Sequence, residues 1–142
     1  MAGYSGTPLV KKLGIKDGMR ILLVNEPQDF LDLLTPLPPA IDVIKTAHGE
    51  VDIIHVFSDK RAQFIALLKE YKPLLKQDGM IWISWPKKSS GRFTDLDENV
   101  IREVAIKNGL VDIKVCAVDE TWSALKLVIP VSLRKRPSGK LR

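Results

Sequence analysis

Met80-Ile81-Trp82-Ile83-Ser84-Trp85 constrains this chain more than any other stretch. It is apolar at odd and even positions alike, so a strand built from it is covered on both faces. That is the situation of a central strand in a sheet with helices packed on either side. The surrounding pattern supplies such a sheet. Residues 19–25 read as a strand, 27–34 as a short helix, 41–45 as a short strand and 51–57 as a stronger one. Ser58 is placed to cap a long helix starting at Asp59, in which Phe64, Leu67, Leu68, Tyr71, Leu74 and Leu75 recur at helical spacing. Pro73 breaks that helix near its end, and Gln77-Asp78-Gly79 reads as a turn.

Further along, Thr94 with Asp97, or Asp95 with Glu98, caps a helix that runs to Asn108 and stops at Gly109. Strands at 111–118 and 122–130 follow, joined by Asp119-Glu120-Thr121. A turn that short cannot make a parallel crossover, so the last strand must run antiparallel. Upstream, residues 8–13 form a short helix with Thr7 as its cap, Pro8 at its first position and Gly14 closing it, while residues 1–6 look flexible. Alternating strands and helices predict an α/β sandwich with a largely parallel sheet.

The 142 residues suit one domain, taken as 1–133. The formal charge of +5 is concentrated in residues 134–142, which hold five cations and no acid; elsewhere the two signs balance at 17 each. Arg134, Lys135 and Arg136 open this basic tail, expected to be disordered, and give it the means to attract nucleic acid. No apolar run is long enough to span a bilayer, and the N-terminus does not read as a signal peptide. One cysteine, Cys116, excludes an internal disulfide, and a cytoplasmic protein is the plain expectation.

Ligands of open α/β sheets collect at the carboxyl ends of the strands. Those ends carry Asn25, Glu26 and Pro27; Ser58 and Asp59; and Trp85, Pro86, Lys87, Lys88 and Ser89. Two lysines beside serines can hold a phosphate while Trp85 offers a face to a base or sugar. The plainer reading is a solvated cationic loop over a packed Trp85. His55, mid-strand among Val51, Ile53 and Phe57, reads as a core histidine, and Cys116 as a buried, inert thiol. Two histidines and one cysteine are too few for a zinc site, and no Gly-x-Ser-x-Gly elbow is present. Trp122 reads as capping the sheet, with an exposed partner surface as the alternative.

Three segments resemble a known family. The run from Leu67 through Pro73, Gly79 and Ile81 to Ser84 looks like the helix–turn–strand segment before the fifth strand of class I S-adenosylmethionine-dependent methyltransferases. Leu13-Gly14-Ile15-Lys16-Asp17-Gly18-Met19-Arg20 resembles that family's lead-in to strand one, and Gly109-Leu110-Val111-Asp112 with the hairpin its closing elements. Tyr4-Ser5-Gly6-Thr7-Pro8-Leu9, Trp85-Pro86-Lys87-Lys88 and Asp119-Glu120-Thr121-Trp122-Ser123 resemble an uncharacterised bacterial family of about this size. The resemblance implies a three-layer, Rossmann-like, methyltransferase-like fold.

Two departures from the methyltransferase pattern bear on function. That pattern has an acidic residue followed by spaced glycines after strand one, where this chain has Asn25-Glu26-Pro27-Gln28-Asp29 and no glycine. It also has an acidic residue ending strand two for the cofactor ribose, yet only 25 residues separate Asn25 from Val51. The expected fold is therefore abbreviated, with no S-adenosylmethionine bound. A domain acting by binding a small molecule or a protein is the leading expectation. The alternatives are a divergent S-adenosylmethionine-dependent transferase and a nucleic-acid accessory protein acting through its tail.

Overall fold

The computed structural model describes residues 6–135, so the readings made on residues 1–5 and on the tail from Arg136 onward lie outside the described residues. Six strands form one sheet: β1 (Arg20–Val24), β2 (Asp42–Ile44), β3 (Val51–Phe57), β4 (Leu75–Pro86), β5 (Val111–Ala117) and β6 (Trp122–Val128), in the order β2-β1-β3-β4-β6-β5. The first four run parallel, and β6 lies antiparallel between β4 and β5. Helices α1 (Leu9–Lys12), α2 (Phe30–Leu33), α3 (Arg61–Tyr71) and α4 (Glu98–Lys107) connect them. This is the Rossmann-like α/β arrangement the sequence predicts, with the closing hairpin antiparallel as its short turn requires.

Side chains alternate across the strands into two cores. Ile81, Ile83 and Trp85 of β4 join Ile54 and Val56 of β3 in packing against Phe64 and Leu68 of α3 and Ile101, Val104 and Ala105 of α4. Trp82 faces the other way and packs with Ile53, Phe57, Phe30, Leu13 and Trp122. Its indole Nε1 donates to the Leu13 carbonyl at 3.0 Å, which satisfies the one polar atom of a fully buried ring.

Four local readings are corrected. The helix 27–34 is a single turn, Phe30–Leu33, because Pro27 and Pro36 bracket it and each withholds a backbone donor. The turn read at Gln77-Asp78-Gly79 is instead a bulge within β4, which shifts register between the pairs Val51–Leu75 and Ile53–Met80. Glycine is needed there, since a Cβ on Gly79 would lie 2.7 Å from the Asp52 carbonyl oxygen. Ser58 does not cap α3: the helix begins at Arg61, whose backbone N–H donates to Asp95 Oδ1 at 2.6 Å from the loop after β4. Pro8, not Thr7, stands at the cap of α1, in an extended conformation with its carbonyl accepting from Lys11 and Lys12.

Other signals read true. Asp97 Oδ1 accepts from Val100 N at 2.8 Å to cap α4. Gly14 takes φ +75° and closes α1, with Ile15 N donating to the Val10 carbonyl.

Candidate functional site

The chain leaves β1 toward β2 on one side and returns to β3 on the other, so the carboxyl ends of β1 and β3 flank the point where strand order reverses. Clefts for ligands form at such a point. A cleft of about 350 Å³ opens there, between Asn25 and Pro27 after β1, Phe57, Ser58 and Asp59 at the end of β3, and Gln63 on α3, with Arg92 and Trp122 completing the wall. It is at the small end of the range for ligand pockets. A second hollow, about 410 Å³, lies at the opposite sheet edge between Lys72, Leu75, Gly109 and Ile129.

Asn25 holds the first turn with φ +60°, a left-handed conformation that asparagine tolerates better than other side-chain-bearing residues. The tight exit from β1 is thus made without glycine. Glu26 turns away from the cleft: its carboxylate lies 2.6 Å from Lys45 Nζ, and only 13% of its side chain is exposed. Lys45 follows directly on β2, at the strand end where the methyltransferase pattern has an acid.

The cleft floor is aromatic. Phe57 meets Trp122 edge to face at 5.2 Å and stacks on His55 at 4.5 Å, with Phe30 edge-on to both. His55 Nε2 lies 2.7 Å from Ser84 Oγ, and burial pushes the imidazole pKa down to about 3. His55 is consequently neutral at any physiological pH and serves as a flat, hydrogen-bonded core ring. Above this floor the Arg92 guanidinium sits 4.8 Å from the Trp122 ring centroid and 3.6 Å from Asp59 Oδ2. Ser58 Oγ donates to Gln63 Oε1 at 2.6 Å and accepts from Lys60 N. The site therefore offers one half-exposed cation, the Asp59 carboxylate beside it, amide groups and an aromatic wall; among the described residues no neutral base stands beside a nucleophile at the cleft surface.

Of the strand-end residues singled out from sequence, Asn25, Pro27, Ser58 and Asp59 line this cleft. Glu26 is beside it and paired. Trp85 packs in the core beneath α3 and α4, on the opposite face of the sheet from Trp122; both are 8% exposed, and it is Trp122 that borders the cleft. Lys87, Lys88 and Ser89 lie in the turn after β4 outside the cleft lining, where Lys87 N donates to the Thr121 carbonyl and ties this turn to the hairpin. Arg134 and Lys135 are held at the far edge, Arg134 Nε by the Ile129 carbonyl and Lys135 N by Gln77 Oε1; Arg136 lies outside the described residues.

Arg92, Gln63 and the place of Trp122 in the cleft lining were missed. A signal existed for Trp122. An antiparallel last strand begins where its parallel neighbour ends, and Trp122 does pair with Pro86. Arg92 has no local signal.

Cys116 is half-buried, and burial raises its thiol pKa against the opposing charges of Lys12 and Lys114. Among the described residues, no three His, Cys, Asp or Glu side chains gather as a metal site, and no helix is long and apolar enough to cross a membrane.

Residues 43–131 match the model of a family described as "Protein of unknown function (DUF3052)". The chain belongs to that family. The matched span runs from β2 past β6, so it includes Ser58, Asp59, Gln63, Arg92 and Trp122 and leaves β1 and its turn outside. No curated protein matches the sequence.

Solved structures share the fold. A ribosomal protein L11 methylase from Lactobacillus delbrueckii subsp. bulgaricus has a TM-score of 0.55 at 14% identity, over 89% of this chain and 75% of the methylase. A SAM-dependent methyltransferase from Aquifex aeolicus has 0.57 at 16% identity, over 84% and 87%. An O-methyltransferase of neocarzinostatin biosynthesis, in complex with S-adenosylmethionine and a naphthoic acid, has 0.60 at 10% identity, over 79% of this chain and 49% of the enzyme. At these identities the likeness is one of fold: the chain has the Rossmann-like architecture of S-adenosylmethionine-dependent methyltransferases.

Proposed function

We propose that the chain is a methyltransferase-like domain that acts by binding, taking a small anionic ligand at the β1–β3 cleft, and that it does not use S-adenosylmethionine. The observation that carries this reading is the turn after β1. A nucleotide cofactor is held in this fold by a glycine turn that lets the backbone approach and by N–H groups at the start of a full helix. Here Asn25 carries a side chain into the turn, Pro27 has no N–H, and α2 is one turn long. The place of the ribose-binding acid is taken by Lys45, and the Glu26 carboxylate is paired with it. These residues do not fit the cofactor, so no methyl-transfer step is assigned.

The ligand class follows from what the cleft offers. The 3.6 Å separation from Asp59 is long for a charge-assisted pair, so Arg92 keeps donors available for an incoming carboxylate or phosphate. Phe57 and Trp122 supply a wall for an attached ring, and Asn25 and Gln63 supply amides.

Isothermal titration with S-adenosylmethionine and S-adenosylhomocysteine tests the first half: no heat at millimolar ligand is expected, and micromolar binding would overturn the reading in favour of a divergent transferase. The second half is read from the three tryptophan indole signals in NMR during titration with benzoate and phenyl phosphate. The Trp122 signal is expected to shift while those of Trp82 and Trp85 stay. Stationary signals throughout would remove the cleft as an anion site.

A further inference from the structure

The face of β5 and β6 away from α4 carries a cluster of lysines that the cleft does not use. Lys114 and Lys126 are direct cross-strand partners, and Lys126 is also the partner of Trp82 on β4, which places both lysines on the α1 side of the sheet. Like charges directly opposite on paired strands repel, and an anion lying across the pair would relieve that repulsion. Lys12, the last residue of α1, and Lys16, just beyond it, add to the same field: Cys116 feels Lys12 and Lys114, and Lys126 feels Lys114 and Lys16. Burial, reinforced by those two neighbours, pulls Lys126 below the usual lysine range.

Nothing acidic offsets this cluster from its own strands. Asp112 is the one acid of β5, and it pairs with Arg102 of α4 on the other face; β6 has none. Among the described residues Lys16, Lys114 and Lys126 have no ion-pair partner, as is also true of Lys60, Lys88 and Lys107; what sets the three apart is that they stand close enough to act on one another.

We propose that this face binds the phosphate backbone of duplex nucleic acid without reading its sequence. Lysines are point charges suited to phosphate, and a rigid pair of strands presents them as a row. The patch lacks the exposed aromatic rings that hold single strands: among the described residues the exposed ring is Phe93, on the loop after β4, while the exposed side chains beside Lys114 on β5 are the aliphatic Ile113 and Val115. The proposal is independent of the cleft and of the basic tail.

The test is anisotropy of a labelled random-sequence DNA duplex with the full chain over a salt series. Replacing Lys114 and Lys126 together by alanine is expected to lower the salt slope by about two. The fall in affinity between about 50 and 200 mM salt is then about tenfold smaller than for the wild-type chain. Lys16→Ala with Lys114→Ala, both exposed, repeats the test should burial of Lys126 make the first pair unstable. An unchanged slope in both double variants, complete loss of binding on truncation after Lys135, or equal affinity for polyglutamate would each overturn the proposal.

Discussion

The two faces of the sheet are closed by different means. On one, α3 and α4, of 11 and 10 residues, lay aliphatic side chains over the strands. On the other, α1 and α2 are four residues each, and helices that short cannot cover a six-stranded sheet. Bulk replaces length there: Phe30, Phe57, Trp82, Trp122 and the neutral ring of His55 fill the volume that helices fill opposite. A face closed by a few large rings is sealed only where those rings stand. The cleft opens at its carboxyl edge against Trp122, and the lysine pair Lys114–Lys126 lies toward the β5 edge, with the end of α1 beside it. Both proposed sites border the thin face, and the thick face carries the longer helices.

The largest effect that sharpens this contrast is expected at Phe64, fully buried between α3 and the sheet. Phe64→Ala should cost about 3–5 kcal/mol in urea unfolding, a large fraction of the roughly 5–15 kcal/mol that holds a typical domain. A loss under about 1 kcal/mol would break the contrast, because the thick face would then be dispensable.

Next comes a pH dependence that belongs to the thin face alone. The His55 pKa is about 3 in the folded chain against 6.5 for the free group, so the unfolded chain takes up a proton that the folded one refuses. Stability from this group is therefore complete above about pH 6.5 and is lost as pH falls toward 3, on the order of a few kcal/mol in all. His55→Gln keeps a partner for Ser84 Oγ and should flatten that part of the acid limb in unfolding measured from pH 7 to 3. An identical acid limb in the variant would mean that His55 is not buried as a neutral ring.

How much of this was legible in the sequence differs by face as well. The thick face was readable because α3 and α4 are long enough to show period and caps: Phe64 and Leu68 at helical spacing, and Asp97 three residues before Val100. The order of elements and the antiparallel hairpin followed from turn length. The thin face was readable only in part, since a four-residue helix carries no period and Pro27 and Pro36 looked like boundaries of something longer. Ser58 was read as a cap because its position suits one, but the helix start is held by Asp95 from 34 residues away, which no local pattern records. The candidate site was legible where strand ends supply it, at Asn25, Pro27, Ser58 and Asp59. Arg92 reaches the cleft only through tertiary structure, and Trp85 was favoured over Trp122 because composition does not say which face a tryptophan takes.

The smallest expected effect on stability probes the thin face where it is open. Arg92 contributes a ring contact with Trp122 and a long pair with Asp59, and 48% of its side chain is exposed. Interactions of that kind are screened and worth under about 1 kcal/mol, so Arg92→Ala should leave the unfolding midpoint almost where it was. Its effect on the cleft should be large, because the variant removes the one cation in the lining and bares the Trp122 ring. The shift of the Trp122 indole signal on adding phenyl phosphate should disappear, while Phe64→Ala in any fraction that remains folded should keep it. If Arg92→Ala lowered stability as Phe64→Ala does, the loop bearing Arg92 would be part of the core, and the division between a face that holds the fold and a face that binds would fail.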